Sequence, residues 1–281
     1  MEIFRTVAEL RSWSRALRAA GNNQIGLVPT MGALHAGHAS LMRASRDACG
    51  FTVVSIFVNP TQFGPREDYA RYPRRFEADC ALAEAEGADA VFAPAVEEIY
   101  PAGAATLVEV EGLGSRLDGQ SRPGHFRGVA TVVAKLLIAA EPDGAYFGQK
   151  DAAQVAVVRR MVADLRLATE IVVCPTVRDA DGLALSSRNA YLSAGERVQA
   201  LVLSSAVRRV EALAASGERR ASELVAAARR VIAAEPAVRV DYSTVVDWDT
   251  LLPVEVAAPG TLFAVAAWVG ATRLIDNAIL R

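Results

Sequence analysis

No apolar run in this 281-residue chain approaches the ~18 residues that a membrane-spanning helix needs, which excludes an integral helical membrane protein. Charge of neither sign dominates. Lys and Arg number 30 against 32 Asp and Glu, and the net charge of -2 gives no general attraction to nucleic acid or to an anionic membrane. Cysteine is scarce. Cys49, Cys80 and Cys174 are odd in number, far apart and set in apolar sequence, which excludes a disulfide framework and fits reduced, buried structural thiols. Met1-Glu2-Ile3-Phe4-Arg5 has no basic segment leading into an apolar core and cleavage site, so the expected location is cytoplasmic.

Several enzyme signatures are missing as well. The chain has no H-E-x-x-H and no G-x-x-x-x-G-K-[ST] loop. Its one G-x-G, Gly112-Leu113-Gly114, has Leu117 where a dinucleotide fingerprint needs the third glycine. No internal repeat or low-complexity tract stands out. The Ala- and Arg-rich stretch from Glu218 to Arg230 reads as a solvated helix face.

What remains is a composition of 52% hydrophobic and 22% charged residues, ordinary for a globular protein with a large core, over a length that suggests two domains. Helical and strand patterns alternate through the first part. Thr6 with Glu9 forms a capping-box pattern opening a helix to Ala20. Strand Ile25 to Val28, helix Ala39 to Cys49, strand Phe51 to Val58, helix Arg74 to Glu86 and strand Ala90 to Phe92 follow. Helix Val129 to Ala140, strand Ala145 to Phe147, helix Ala152 to Leu165 and strand Ile171 to Val173 continue the rhythm. This alternation predicts an α/β fold, a doubly wound parallel sheet whose ligands bind beyond the C-terminal ends of the strands. After Pro175 the pattern changes: Ser193 with Glu196 caps a helix to about Ser216, a second runs from Ser222 to Ala234, and strands read at Val238 to Tyr242, Leu262 to Val269 and Thr272 to Ile275. The expected division is a Rossmann-like catalytic domain over 1–175 and a smaller α+β domain over 176–281.

All three histidines lie in glycine-flanked turns. Two belong to Pro29-Thr30-Met31-Gly32-Ala33-Leu34-His35-Ala36-Gly37-His38, where a strand gives way to a helix N-terminus. Unsatisfied N–H groups and the positive end of the helix dipole favour an anion there, and imidazoles beside them add donors. The pair alone is not a zinc site, because no Cys or Glu lies at ligand spacing around it. Other polar clusters also leave strands or open helices. Asn59 and Gln62 in Phe57-Val58-Asn59-Pro60-Thr61-Gln62-Phe63 offer amides to a small polar ligand, although Asn-Pro also favours a plain turn. Lys150 in Phe147-Gly148-Gln149-Lys150-Asp151 is poised to neutralise phosphate, Ser186, Ser187 and Arg188 add hydroxyls and a guanidinium, and Arg122 and Arg127 flank His125. Singly, each has a bland reading as solvated loop.

Taken in order, the segments Pro29 to His38, Phe57 to Phe63, Arg122 to Val129, Phe147 to Gln154 and Leu185 to Leu192 resemble the pantothenate synthetase family of ATP-dependent pantoate–β-alanine ligases, within the nucleotidyltransferase superfamily. Two positions depart from the superfamily signature: Ala36 replaces an aliphatic residue, and Arg188 stands in place of a lysine. The resemblance implies a pantoyl-adenylate route that releases pyrophosphate and AMP. It implies that His35, His38, Lys150, Ser186, Ser187 and Arg188 hold phosphates, that Met31 and Val177 lie in the ATP site, and that Gly148 and Asp151 contact the ribose. Gln62 and Gln154 would grip pantoate with Asn59 and Phe57 beside them, and Tyr72 and Arg122 would stand at the lid or rim. It further implies Mg²⁺ with ATP, Asp79 as an indirect metal ligand, a C-terminal domain acting as lid and a homodimer. A different adenylyl- or cytidylyltransferase, and a nonenzymatic nucleotide-binding module, are the alternatives from other classes.

Overall fold

The structure, a computed structural model, describes residues 1–21, 24–65 and 67–281. Two compact units emerge: Met1–Gly148 with Val157–Pro175, and Gln149–Ala156 with Thr176–Arg281.

The first unit is built on a parallel sheet of β1 (Glu2–Phe4), β2 (Ile25–Thr30), β3 (Phe51–Ile56), β4 (Ala90–Phe92), β5 (Gly144–Gly148) and β6 (Glu170–Cys174), in the order β1-β4-β3-β2-β5-β6. Every paired strand runs parallel to its neighbour. The chain therefore winds outward from β2 through β3, then from β2's other side through β5. This reversal opens a crevice at the C-terminal ends of the strands where a doubly wound sheet binds ligands. The expected α/β class holds.

The connecting helices are α1 (Val7–Ala19), α2 (Ala36–Ala48), α3 (Phe76–Ala85), the single turns α4 (Val96–Ile99) and α5 (Asp118–Ser121), α6 (His125–Ala140) and α7 (Ala152–Asp164). The capping box of Thr6 and Glu9 forms as read, each side chain closing on the other's backbone. Ile25, Leu27 and Val28 of β2, Val53 and Val54 of β3 and most of α6 are fully buried, which is why these stretches are nearly continuous in apolar residues. Cys49, Cys80 and Cys174 are free thiols; Cys174 is buried as expected, Cys49 and Cys80 are only half-buried, and burial pushes the thiols of Cys80 and Cys174 up.

Several boundaries differ from the sequence reading for local reasons. β1 is three residues long, too short to carry a recognisable alternation, and exists because it pairs with β4. β2 continues through Pro29 to Thr30, its pairing with β5 being confined to Gly26 and Leu27, so the missing proline N–H costs little there. α2 starts at Ala36 rather than Ala39 because imidazoles cap its first turn, and α6 at His125 rather than Val129 because a left-handed Gly124 leads the chain into it.

The second unit comprises α8 (Ala194–Ala215), α9 (Ala221–Ile232) and an antiparallel sheet of β7 (Val238–Val246), β8 (Leu262–Val269) and β9 (Thr272–Ile279) in that order. Ser193 and Glu196 form the capping box of α8. Leu203, Leu224, Ile232 and Phe263 fill the space between helices and sheet. A single boundary after residue 175 does not describe this partition. Residues 149–156 belong with the second unit because Asn277 of β9 donates to the carbonyls of Gln149 and Lys150 at 3.0 and 2.9 Å, and Trp248 Nε1 donates to that of Ala152 at 3.0 Å.

Beside Asn277, Asp276 is 3% exposed and takes two bonds from Arg178, at 2.6 and 2.8 Å. Removing one partner leaves an uncompensated charge. Asp276→Ala is expected to cost about 3–5 kcal/mol of stability, read as a shift of the denaturant midpoint; a change under about 1 kcal/mol would show the pair to be ornamental.

Candidate active site

The turn after β2 is shaped by a shortage of acceptors. Gly32 adopts φ +83° and Ala33 φ 51°, which turns the N–H groups of Ala33 and Leu34 toward α3. Asp79 receives both, at 2.9 and 2.8 Å, and is itself 3% exposed. Burial raises its carboxyl above the ordinary value and outweighs the opposing effect of the two amides and Arg75. With both oxygens committed to backbone, Asp79 anchors the histidine turn.

The next two amides are met by imidazoles. His35 caps α2, its Nδ1 accepting from Gly37 N–H at 3.1 Å, while His38 Nδ1 accepts from His35 N–H at 3.3 Å. The result is a capping box whose two side chains are both histidine, with ring centroids 4.1 Å apart. Backbone N–H groups only donate, so both Nδ1 atoms present lone pairs. A neutral ring then carries its proton on Nε2, across the ring from the backbone that it caps. Two N–H donors thus share the N-terminus of α2, where the helix dipole already favours negative charge.

After β3, Asn59 opens a 3₁₀ turn over Pro60–Gln62. Asn59 is 1% exposed. Its Nδ2 donates to Gln62 Oε1 at 3.0 Å and to Gly128 O at 3.1 Å, and its Oδ1 accepts from Thr61 and Tyr100. Asn59 therefore positions Gln62, which is itself 8% exposed. Gln62 also donates to Met31 Sδ at 3.0 Å, tying the two strand-end turns together. Phe57 is buried beside Tyr100 and contributes wall.

Tyr72 is 6% exposed, edge-on to Phe63, and Arg122 is gripped through two bonds by Glu67. Gly128 explains why α6 packs so tightly on the Gln62 turn. A Cβ there would lie 2.4 Å from Thr61 O and 2.6 Å from Gln62 N.

In the second unit, Gln149–Asp151 form a 3₁₀ turn, with Lys150 Nζ 3.4 Å from Asp151 Oδ1. Gln154 follows, half-buried, on the first turn of α7. Val177 O accepts from Leu185 N–H, closing the loop that precedes Ser186, and Ser186 Oγ accepts from Arg188 N–H at 3.3 Å to cap the 3₁₀ turn Ser187–Tyr191. Gly148 ends β5 in the first unit. The structure thus gathers Met31, His35, His38, Asn59 and Gln62 in one unit, and Lys150, Asp151, Gln154, Ser186, Ser187 and Arg188 in the other.

Sequence reasoning missed Asn277, which holds the Lys150 turn, and Glu67, which holds Arg122. For Asn277 a signal existed: adjacent Asp276 and Asn277 interrupt the apolar residues of β9 between Ile275 and Ala278. Among the described residues no cluster of three or more His, Cys, Asp or Glu has the arrangement of a metal site, and no helix is long and apolar enough to cross a membrane.

A family model described as pantoate-beta-alanine ligase matches residues 2–279. The chain belongs to the pantoate–β-alanine ligase family. Pantothenate synthetases of Acidobacterium capsulatum and Koribacter versatilis are 62% and 57% identical to it, the alignments covering 98% and 100% of this chain and 95% and 96% of theirs. The crystal structure of pantothenate synthetase from Thermus thermophilus superposes with a TM-score of 0.94 at 48% identity, covering 100% of this chain and 99% of that one. A pantoate-beta-alanine ligase from Francisella tularensis, complexed with beta-gamma ATP and beta-alanine, gives 0.81 at 33%, covering 99% and 97%. Membership in the pantoate–β-alanine ligase family makes the chain an enzyme that joins pantoate to β-alanine.

Because Asn carries only one acceptor atom, Asp79→Asn turns an NH₂ group toward Ala33 or Leu34 N–H. Misplacing the histidine turn is expected to lower ligase kcat by roughly tenfold to a hundredfold. The substitution also removes a group whose raised carboxyl makes native stability fall as pH rises from the ordinary carboxyl value to the raised one. Wild-type kcat in the variant would separate Asp79 from the turn.

Proposed function

We propose that ligation runs through pantoyl adenylate, with ATP as the activating substrate. A pantoate carboxylate oxygen bonds to the α-phosphorus as the bond to the β-phosphate oxygen breaks and pyrophosphate leaves. The β-alanine amine then attacks the acyl carbon, loses a proton, and AMP departs with the electron pair of the broken C–O bond. Both displacements depend on alignment and on donors aimed at developing charge.

The observation that carries this reading is the double-histidine capping box, which leaves both imidazoles as Nε2–H donors at a helix N-terminus. Phosphate is the ligand such an end favours. In the proposal His35, His38, Lys150, Ser186, Ser187 and Arg188 hold phosphate oxygens, with Met31 and Val177 lining the nucleotide and Gly148 and Asp151 at its ribose. Gln62 and Gln154 grip pantoate. The nucleotide complex of the Francisella tularensis ligase supports ATP as substrate. Mg²⁺ would accompany the nucleotide and offset its phosphate charge with few protein ligands, as this cation commonly does. The role of lid for the C-terminal unit, homodimeric assembly and a cytoplasmic location belong to the same proposal.

Exchange of labelled pyrophosphate into ATP, with Mg²⁺ and pantoate but no amine, tests the adenylate. Exchange that requires pantoate is the expected result. Lys150→Ala is expected to lower that exchange by roughly a hundredfold or more, the scale of a lost transition-state donor. Pantothenate formation without any exchange would point to a concerted route, and near-normal exchange in Lys150→Ala would remove the lysine from the phosphates.

A further inference from the structure

His125 has the opposite tautomer from the other two histidines. Its Nδ1 lies 2.8 Å from the backbone carbonyl oxygen of Gln62, which only accepts, so Nδ1 carries a proton. Its Nε2 lies 2.9 Å from Arg122 Nη1, which only donates, so Nε2 presents a lone pair. Both contacts hold together only in a neutral ring. Arg122 is in turn fixed by Glu67, at 2.9 Å through Nε and 2.5 Å through Nη2, and a second donor from Arg122 reaches Gln62 O at 3.4 Å. The ring is 9% exposed at the first residue of α6, one helical turn before Gly128 meets the Gln62 backbone.

We propose that neutral His125 is a positioning residue for Gln62, and that protonation of its ring at Nε2 expels Arg122, loosens the Gln62 turn and weakens pantoate binding in acid. The inference rests on the reading of Gln62 as a pantoate ligand.

A proton on Nε2 would face a guanidinium that has no acceptor to offer, so the ring and Arg122 cannot both keep their places. Among the described residues, the charged groups that bear on His125 include Arg122, from the turn before α6, and Glu67, from the loop after β3. Its other ring neighbour is Phe126, at 5.1 Å between centroids. Glu67 does not supply the pH dependence. Burial works against its charged form, yet the hydrogen bonds and charge of Arg122, with the Gly64 amide adding, hold its carboxyl below the ordinary value, so it stays ionised as the pH falls from neutrality into mild acid.

The test is the KM for pantoate at saturating ATP, followed from about pH 8 downward to the limit at which the enzyme stays folded. It is measured in the full chain and in His125→Asn, His125→Ala and Gln62→Ala. Asn places an amide N–H where Nδ1–H was and has nothing to titrate. The wild type is expected to show KM rising roughly tenfold toward acid, one hydrogen bond's worth of affinity. His125→Asn should keep a near-wild-type KM at pH 8 and a flat profile, while His125→Ala is raised at every pH. Every variant retains His35 and His38, so the difference between wild type and His125→Asn isolates His125. An acid limb that persists in His125→Asn, or an unchanged KM in a folded His125→Ala, overturns the proposal.

Nitrogen-15 shifts of the His125 ring give a second readout independent of catalysis. They are expected to report Nδ1–H at pH 8, and Nε2–H would overturn the geometry. If Gln62→Ala leaves the pantoate KM untouched while the shifts report Nδ1–H, the pantoate reading of Gln62 has failed and the tautomer has not.

Discussion

Four amides at the junction of β2 and α2 need acceptors, and how they find them governs the first unit's half of the site. Ala33 and Leu34 are met by Asp79, Gly37 by His35 and His35 itself by His38. A Ser or Asp cap would have satisfied the helix equally well. Using imidazoles makes the cap and the outward donors the same side chains, because each ring spends Nδ1 on the backbone and keeps Nε2–H. The stabilisation of a helix end, about 1 kcal/mol per cap, thereby also orients two donors suited to phosphate. Asp79 keeps this turn in place despite burial that disfavours its charge. The site is anchored from beneath by a carboxylate that faces backbone rather than substrate.

A second device acts on the Gln62 turn. Asn59 and His125 hold it from its side-chain and backbone sides, and Gly128 allows α6 to approach closely enough for both. Near these residues a single added carbon meets backbone, so the packing tolerates only glycine. The three histidines then divide into two tautomeric classes according to whether the backbone group each meets is an N–H or a C=O. Nothing in the residue type distinguishes them. In the second unit, a buried Asn and a buried Asp on β9 take comparable parts, holding the Lys150 turn and Arg178.

Much of this was legible from the chain. The strand and helix alternation, the capping boxes at Thr6 and Ser193, and the polar clusters at strand ends each follow from local patterns that tertiary packing left intact. Order and spacing of five such segments carried the family. Helix starts at His35 and Gly124 were displaced because capping by imidazole, or a left-handed glycine, does not look like a helix start in sequence.

What the sequence by itself determined is therefore the set of elements, their parallel arrangement and the residue types suited to phosphate and pantoate, since these depend on periodicity and on neighbours within a turn. Only the tertiary structure decided which polar side chains are spent inside and which are left for a ligand. Asn59, Asp79, Tyr72 and Arg122 all read as site residues, and all are committed to partners from 2 to 69 positions away. The partners of Asn59, Asp79 and Arg122 that lie 46 to 69 positions away are set by packing, and no pattern within a short window records them.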